Sequence, residues 1–365
     1  MQIPTHVENL TTEWLNQALA DSCDFGQNEI VKVDRTPLSG EGQGFLGETA
    51  RLHLTYRSDS SCAPKSIIAK MSPLDEELKS KTTAFIQREY YFYTEISTVS
   101  SIRSPICYYG DFSEDSGDSI LLLEDLGKGQ IGNIISGGTI EAAQIAVDEL
   151  AKLHAAWWEK ASLRVMKWLP PMPDLEDPEA RDCLGDLFTK HWTLFQGRFE
   201  DAIPETLRKA WDVYVHEFHN IRMQSNKPPL TLCHGDYHLE NISLSGSGQD
   251  ARATVFDWQC LRVSQGPLDI CYFLVLNLDP DLRRKCEPEI LARYCDRLVE
   301  AGVTAYTFDE CYHAYKVSLY ELLLARMVGA GALLNTSSER AQELFRTIIY
   351  RTTEAIKDYP IQNLN

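Results

Sequence analysis

The chain has 365 residues, of which 44% are hydrophobic and 24% charged, and carries a formal net charge of −18 at pH 7. That length exceeds one minimal core and suits two lobes with a cleft between them, because single cores stop growing at roughly 250–300 residues. The composition excludes disorder and fibrous architecture, and the acidic balance argues against nucleic acid or an anionic membrane as partner, since both require Lys and Arg patches that release counterions.

Residues 11–20 read as a short amphipathic helix, with Thr12 as N-cap and Trp14, Leu15, Ala18 and Leu19 on one face. Alternation of apolar and polar residues in Ile30-Val31-Lys32-Val33, and again from Ala50 to Tyr56, predicts half-buried strands on either side of a glycine-rich turn. Ser66 to Met71 reads as a further strand, Ala84 to Tyr93 as a helix without Gly or Pro, and Ser119 to Leu123 as a strand. After Gly127 helical spacing takes over, in 139–160, 179–198, 204–223 and 283–357. Leu169 to Asp174 is a proline-rich loop between helices, and Ser245 to Gln249, with Gly246 and Gly248, a hairpin turn between short strands.

Ten cysteines are spread from Cys23 to Cys311 without a C-x-x-C pair, so they are expected to be reduced thiols, neither a disulfide framework nor a zinc knuckle. Met1-Gln2-Ile3-Pro4-Thr5 lacks the basic and apolar regions of a secretory signal, and no apolar run approaches the roughly 18–20 residues that span a bilayer. The expectation is a cytoplasmic protein with no membrane contact and no evident protein partner.

The strongest chemical signal is Cys233-His234-Gly235-Asp236-Tyr237-His238-Leu239-Glu240-Asn241, which lies between Leu230-Thr231-Leu232 and Ile242-Ser243-Leu244 and so sets a carboxylate and an amide on a loop between strands. Phosphoryl transfer needs a group that orients or deprotonates the attacking hydroxyl, and oxygen ligands that bring magnesium onto the donor phosphates. Asp236 and Asn241 match these two needs. A second β-prone run, Ala253-Thr254-Val255-Phe256, delivers Asp257 at its end and supplies the carboxylate that a lone Asn lacks. The competing reading takes His234, Asp236 and His238 as ligands of a metallohydrolase, because alternate side chains can face one metal; it leaves Asp257 without a role.

With these residues in view, the chain resembles the aminoglycoside phosphotransferase and choline kinase superfamily, whose H-G-D-x-x-x-x-N signature matches His234 through Asn241 without a gap. Protein kinases carry the related H-R-D and D-F-G motifs, whereas here they read His234-Gly235-Asp236 and Asp257-Trp258-Gln259, which disfavours a peptide substrate. Leu10 to Leu15, Leu150 to Ala155 and Gly266-Pro267-Leu268-Asp269 look most like the ecdysteroid-kinase-like group. The resemblance spans nearly the whole chain, apart from about 161–228, which is expected to shape the substrate pocket. It implies an α+β, protein-kinase-like fold: a β-rich nucleotide-binding lobe in 1–125, a hinge near 123–127 and a helical lobe in 126–365. It further implies ATP, or GTP in its place, as donor, Mg2+ as cofactor and a small-molecule hydroxyl as acceptor.

Under that resemblance Gly42, Gly44 and Gly47 form a β-hairpin lid over nucleotide phosphates. Their G-x-G-x-x-G spacing is weak evidence alone, and a Rossmann loop would open a helix where alternation resumes here; a structural glycine turn is the alternative. Lys70 stands where kinase-like folds place the lysine that neutralises donor phosphates, with Glu89, in preference to Glu95, as its partner. Leu121 to Gly127 suits a hinge whose backbone, at Glu124 and Leu126, hydrogen-bonds adenine. His154 reads as structural and Asp269 as a cap or support for the catalytic loop, with a third metal ligand as the minor alternative.

The acceptor stays open among steroid-like or other polycyclic alcohols, amino alcohols and antibiotics. Trp157, Trp168, Trp192 and Tyr237 favour an apolar one slightly. An acidic surface is compatible with a cationic acceptor, but solubility is the simpler account. A nucleotide-binding pseudokinase scaffold is set back by the presence of Asp236, Asn241 and Asp257 together.

Overall fold

In the computed structural model, which describes residues 1–25, 28–38, 47–58, 63–127, 130–170, 177–246, 248–333 and 338–364, the first helix is α1, Thr12–Ala18. Thr11 is its N-cap: its hydroxyl accepts the N–H of Trp14 at 3.2 Å. Thr12, expected as the cap, is already the first helical residue, and Thr11 is the hydroxyl one position earlier that reaches the third N–H. The helix buries Leu15 and Ala18.

Strands β1 (Ile30–Pro37), β2 (Glu48–Tyr56) and β3 (Ser66–Met71) follow. Helix α2 (Glu76–Tyr91) continues into a π-helical turn at Phe92–Ile96, and strands β4 (Cys107–Phe112) and β5 (Ser119–Glu124) complete an antiparallel sheet of order β1-β2-β3-β5-β4. One face of the sheet closes over Leu10, Leu15, Leu52, Ile67, Ile120 and Leu122.

Helix α2 begins eight residues before the expected Ala84. Asp75 caps it through the N–H of Leu78 at 2.7 Å, and Glu76 and Glu77 suit the positive end of the helix dipole. The early turns bury Lys79, which is paired with Glu76 and Asp118, so no apolar stripe announces them. Strand β4 was not anticipated for a related reason: every residue in it is half-buried, leaving no alternation to read.

These elements form one compact unit, Met1–Val99 and Arg103–Gly129, to which Val255–Cys260 belongs as well. That return segment is fastened by Trp258, fully buried, whose ring stacks on Phe92 with centroids 3.6 Å apart, and by the N–H of Val255 on the Arg103 carbonyl at 2.9 Å.

The second unit comprises Ser100–Ile102, Gln130–Thr254 and Leu261–Asn365. It opens with the short strand β6 (Gln130–Ile131) and helices α3 (Ile140–Trp157), α4 (Pro178–Phe199) and α5 (Glu205–Ser225). Four short strands follow: β7 (Thr231–Cys233), β8 (Ile242–Ser245), β9 (Arg252–Val255) and β10 (Arg262–Ser264). They pair as β10-β7 and β6-β8-β9. The expected turn at Ser245 to Gln249 joins two of them, although residue 247 lies outside the described residues. The proline-rich loop falls largely outside them too.

The helical run expected over 283–357 is broken by caps. Helices α6 (Pro267–Asn277) and α7 (Pro280–Glu300) are separated at Asp279, which caps α7. Helix α8 (Phe308–Ser318) starts in a capping box of Thr307 and Glu310. A π-helical turn at Leu319–Leu324 leads into α9 (Ala325–Leu333), and Ser338 caps α10 (Glu339–Asp358). Among the described residues every cysteine is free and no helix is long and apolar enough to cross a membrane.

Candidate active site

In the first unit, pairing of β3 between β2 and β5 fixes Lys70 opposite Thr49 and Leu121. Its ammonium lies 2.7 Å from Glu89 Oε2 and 2.9 Å from Asp257 Oδ1. Glu89 is on the face of α2 that also buries Thr82 and Ile86, at helical spacing, whereas Glu95 is exposed. The Gln259 side chain adds a hydrogen bond to Glu89. Burial alone would lower the lysine's pKa; the carboxylates of Asp257 and Glu89 outweigh it and hold Lys70 above the ordinary lysine value. Glu89 is itself pushed above the ordinary carboxylate value, by burial first and by the neighbouring Asp257 charge, with Lys70 opposing both.

Asp257 has a positive φ of 65°, in the left-handed region that few residues other than Gly, Asn and Asp adopt. The bend lies between the end of β9 and the stacked Trp258, and it aims the carboxylate at Lys70.

Gly47 is held by a close approach. A Cβ there would stand 2.0 Å from the carbonyl oxygen of Met71, so the chain can enter β2 beside the end of β3 only with glycine. No helix opens after Gly47, which removes the dinucleotide-loop reading. Gly42 and Gly44 lie outside the described residues.

At the end of β5 the N–H of Glu124 donates to the Ile106 carbonyl at 2.8 Å. Asp125 accepts two hydrogen bonds from Arg51, at 2.7 and 3.1 Å, and one from Ser66 at 2.6 Å. Leu126 is half-buried, and Gly127 turns the chain with φ +70°. The residues expected to meet adenine thus sit on a firmly anchored strand end.

In the second unit, the loop after β7 hangs on α6. Asp269, fully buried, accepts the backbone N–H groups of His234 and Gly235 at 2.7 and 2.8 Å. Three residues later on the helix, Tyr272 donates its hydroxyl to Asp236 Oδ1 at 2.8 Å. Five residues beyond that, at the end of the helix, Asn277 Oδ1 accepts the N–H of Leu239 at 3.1 Å. One helix therefore holds the loop at its start, at its acid and near its end. Asp269 is a loop support and not a helix cap, since Gly266 occupies the N-cap of α6.

The carboxylate of Asp236 is also met by Asn241 Nδ2, 3.4 Å from Oδ2, and by His238 Nε2 at 3.5 Å, with an Arg326 nitrogen 3.9 Å from Oδ1. Burial would raise its pKa; the charges of His238 and Arg326, with hydrogen bonds from His238 and Tyr272, outweigh burial and hold Asp236 far below the usual carboxylate range. Asn241 Nδ2 also donates to the Asp236 carbonyl at 3.0 Å, which leaves the amide oxygen as the atom for a cation. Asp257 in the first unit and Asn241 in the second each offer a hard oxygen donor of the kind magnesium takes.

His154 is structural. It is fully buried, with Nδ1 2.9 Å from the Tyr294 hydroxyl and Nε2 3.3 Å from Asp269. His234 is buried as well, and its Nδ1 accepts the Asp236 N–H at 3.2 Å. The metal-capable trio that the described residues bring together is His154, Cys233 and Asp269, not the His234, Asp236 and His238 of the metallohydrolase reading, and its carboxylate is already engaged by two backbone N–H groups.

Tyr237 is fully buried with its hydroxyl on the Ala146 carbonyl, Trp157 is buried, and Trp192 stacks on Trp211 at 4.9 Å. These three rings are packed against neighbours. Sequence reasoning missed Tyr272 and Arg326. The first had a signal, since a helix beginning at Pro267 sets it one turn from Asp269 on the same face; the second had none.

The fold is protein-kinase-like. The ecdysteroid kinase-like family model matches residues 41–304, and the chain belongs to that family. Similar solved structures include an aminoglycoside 2′-phosphotransferase-IIIa in complex with GDP, at 11% identity, covering 93% of this chain and 97% of that one with a TM-score of 0.53. A microcompartment-associated aminopropanol kinase is similar at 16% identity, 97% and 100% coverage and a TM-score of 0.51. A choline kinase from Cryptosporidium parvum is similar at 10% identity, 89% and 90% coverage and a TM-score of 0.53. Among curated protein sequences no relative matches the chain.

Proposed function

We propose that the protein is a small-molecule kinase that moves the γ-phosphoryl group of ATP to a hydroxyl of a small organic acceptor. The observation that carries this reading is the setting of Asp236, an ionised carboxylate fixed by Tyr272 on a loop that α6 holds at three points. Such a group accepts the hydrogen of an attacking hydroxyl and aligns its oxygen for in-line displacement.

Lys70, oriented by Glu89, meets the donor phosphates. Glu124 and Leu126 offer backbone to adenine, and Gly47 closes the glycine-rich segment expected over the phosphates, of which Gly42 and Gly44 lie outside the described residues. Asp257 and Asn241 are the residues that would hold Mg2+, which when bound neutralises phosphate charge. A cytoplasmic setting, where ATP is abundant, suits this activity. The pseudokinase alternative has no missing residue to rest on.

The deciding experiment is thermal stabilisation by ATP with and without magnesium, in wild type and Asp257→Ala, because a ligand that binds only the native state raises its stability. A magnesium-dependent shift that vanishes in Asp257→Ala is expected. Asp236→Asn should keep that shift and lose turnover once a panel of polycyclic, amino and sugar alcohols yields an acceptor. No stabilisation of wild type at millimolar ATP would overturn the reading.

A further inference from the structure

Asp236 leaves the chain at a peptide unit that is gripped on both sides. The N–H of the Gly235–Asp236 peptide donates to His234 Nδ1 at 3.2 Å, and its carbonyl accepts a hydrogen bond from Arg326 Nη1 at 2.7 Å. Arg326 stands 91 positions beyond Gly235, on α9. Gly235 has φ +79°, a conformation from which glycine rotates more freely than any other residue, so the loop needs outside contacts to keep one orientation. The preceding peptide is already held by Asp269 through the Gly235 N–H.

The same guanidinium lies 3.9 Å from Asp236 Oδ1, so one side chain sets the peptide and faces the acid that projects from it. Arg326 is in turn faced by Glu321, whose fully buried carboxylate holds Arg262 at 3.0 Å and Arg222 at 3.6 Å. Arg262 lies on β10, in register with Cys233 of β7, immediately before the loop. Glu321 belongs to the π-helical turn that precedes α9, a geometry that recurs at functional sites.

We infer that Arg326 is a positioning residue that locks the Gly235–Asp236 peptide, and with it the direction of the Asp236 carboxylate, from the C-terminal helices. The inference rests on the reading of Asp236 as the residue that orients the acceptor hydroxyl. A displacement of about 1 Å at such a group can cost roughly 100-fold in rate, which is why a contact that touches no substrate matters.

The test is backbone hydrogen exchange of the full chain without nucleotide, followed by mass spectrometry of the peptide covering 233–241, in wild type, Arg326→Ala, Arg326→Lys and Arg326→Gln. Loss of a hydrogen bond from a charged donor should speed exchange in that peptide by roughly tenfold in Arg326→Ala, with β2, β3 and β5 unchanged and Lys or Gln restoring part of the protection. Wild-type exchange in a folded Arg326→Ala would overturn the inference, and so would faster exchange spread evenly over the helical unit, the mark of a general structural role. If Arg326→Ala fails to fold, the Lys and Gln variants decide by the same criterion. In acceptor-free ATP hydrolysis, kcat should fall at least tenfold in Arg326→Ala with KM for ATP within about twofold; a rise in KM alone would also overturn it. Should wild type neither bind nor hydrolyse ATP, the kinase reading fails while the exchange measurement still decides the clamp.

Discussion

Lys70 Nζ and Asp257 Oδ1 are 2.9 Å apart although 187 positions separate them in the chain. With Glu89 on its other side, the lysine stands between a buried acid and a half-buried one. Lys70→Ala should therefore destabilise the protein by about 3 kcal/mol, the order expected when one partner of a buried pair is removed. It should also abolish ATP stabilisation. Urea denaturation and thermal shift measure the two effects; wild-type values in both would exclude the cluster as a nucleotide site.

At Asp257 the backbone itself is strained, with φ 65°. Substitution by Ala or Gly removes the carboxylate equally, but Ala pays for the left-handed conformation and Gly does not. Asp257→Gly should be more stable than Asp257→Ala by about 1 kcal/mol in chemical denaturation. The reverse order would show that φ is not maintained in solution.

Asp269→Ala strands two buried N–H groups, those of His234 and Gly235. A cost of about 3 kcal/mol is expected from unsatisfied donors, together with loss of turnover and little change in the affinity for Mg-ATP. A variant as stable as wild type would mean that the loop has other acceptors.

The acid dependence of stability should show Asp125. Burial opposes its ionisation, yet hydrogen bonds from Arg51 and Ser66 outweigh burial and lower its pKa from an ordinary value of 3.8. A carboxylate with a depressed native pKa adds stability that is complete above its unfolded pKa and is lost as pH falls through the native one. The gap in stability between wild type and Asp125→Asn should be greatest at neutral pH and close below about pH 4. A gap that persists unchanged at pH 3 would assign the effect to packing.

Gly47→Ala should cost about 2–3 kcal/mol, since the new methyl meets the main-chain oxygen of Met71 and a backbone cannot give way as a side chain does. Full stability of this variant would remove the close approach as the reason for glycine there.

Much of the candidate site was legible because its chemistry is written in short segments. His234 to Asn241 is contiguous, Asp257 follows a β-prone run, Lys70 lies on a strand-like segment and Glu89 on a stretch whose length and lack of Gly or Pro suit a helix. The start of α2 and the whole of β4 were not legible, since one buries a charged Lys79 and the other buries every residue halfway. Periodicity reports a contrast between faces, and neither segment has one.

The sequence by itself determined the two acidic motifs, the order of strands before helices and the likeness to the ecdysteroid kinase-like family, because these depend on residue type and local spacing. Only the tertiary structure decided that Asp269, Tyr272 and Asn277 share the task of holding one loop, that Arg326 reaches Gly235, and that Tyr237 and Trp157 are core. Those facts depend on which surfaces meet after distant segments pack, and side-chain direction at long range is set by that packing and not by neighbours along the chain.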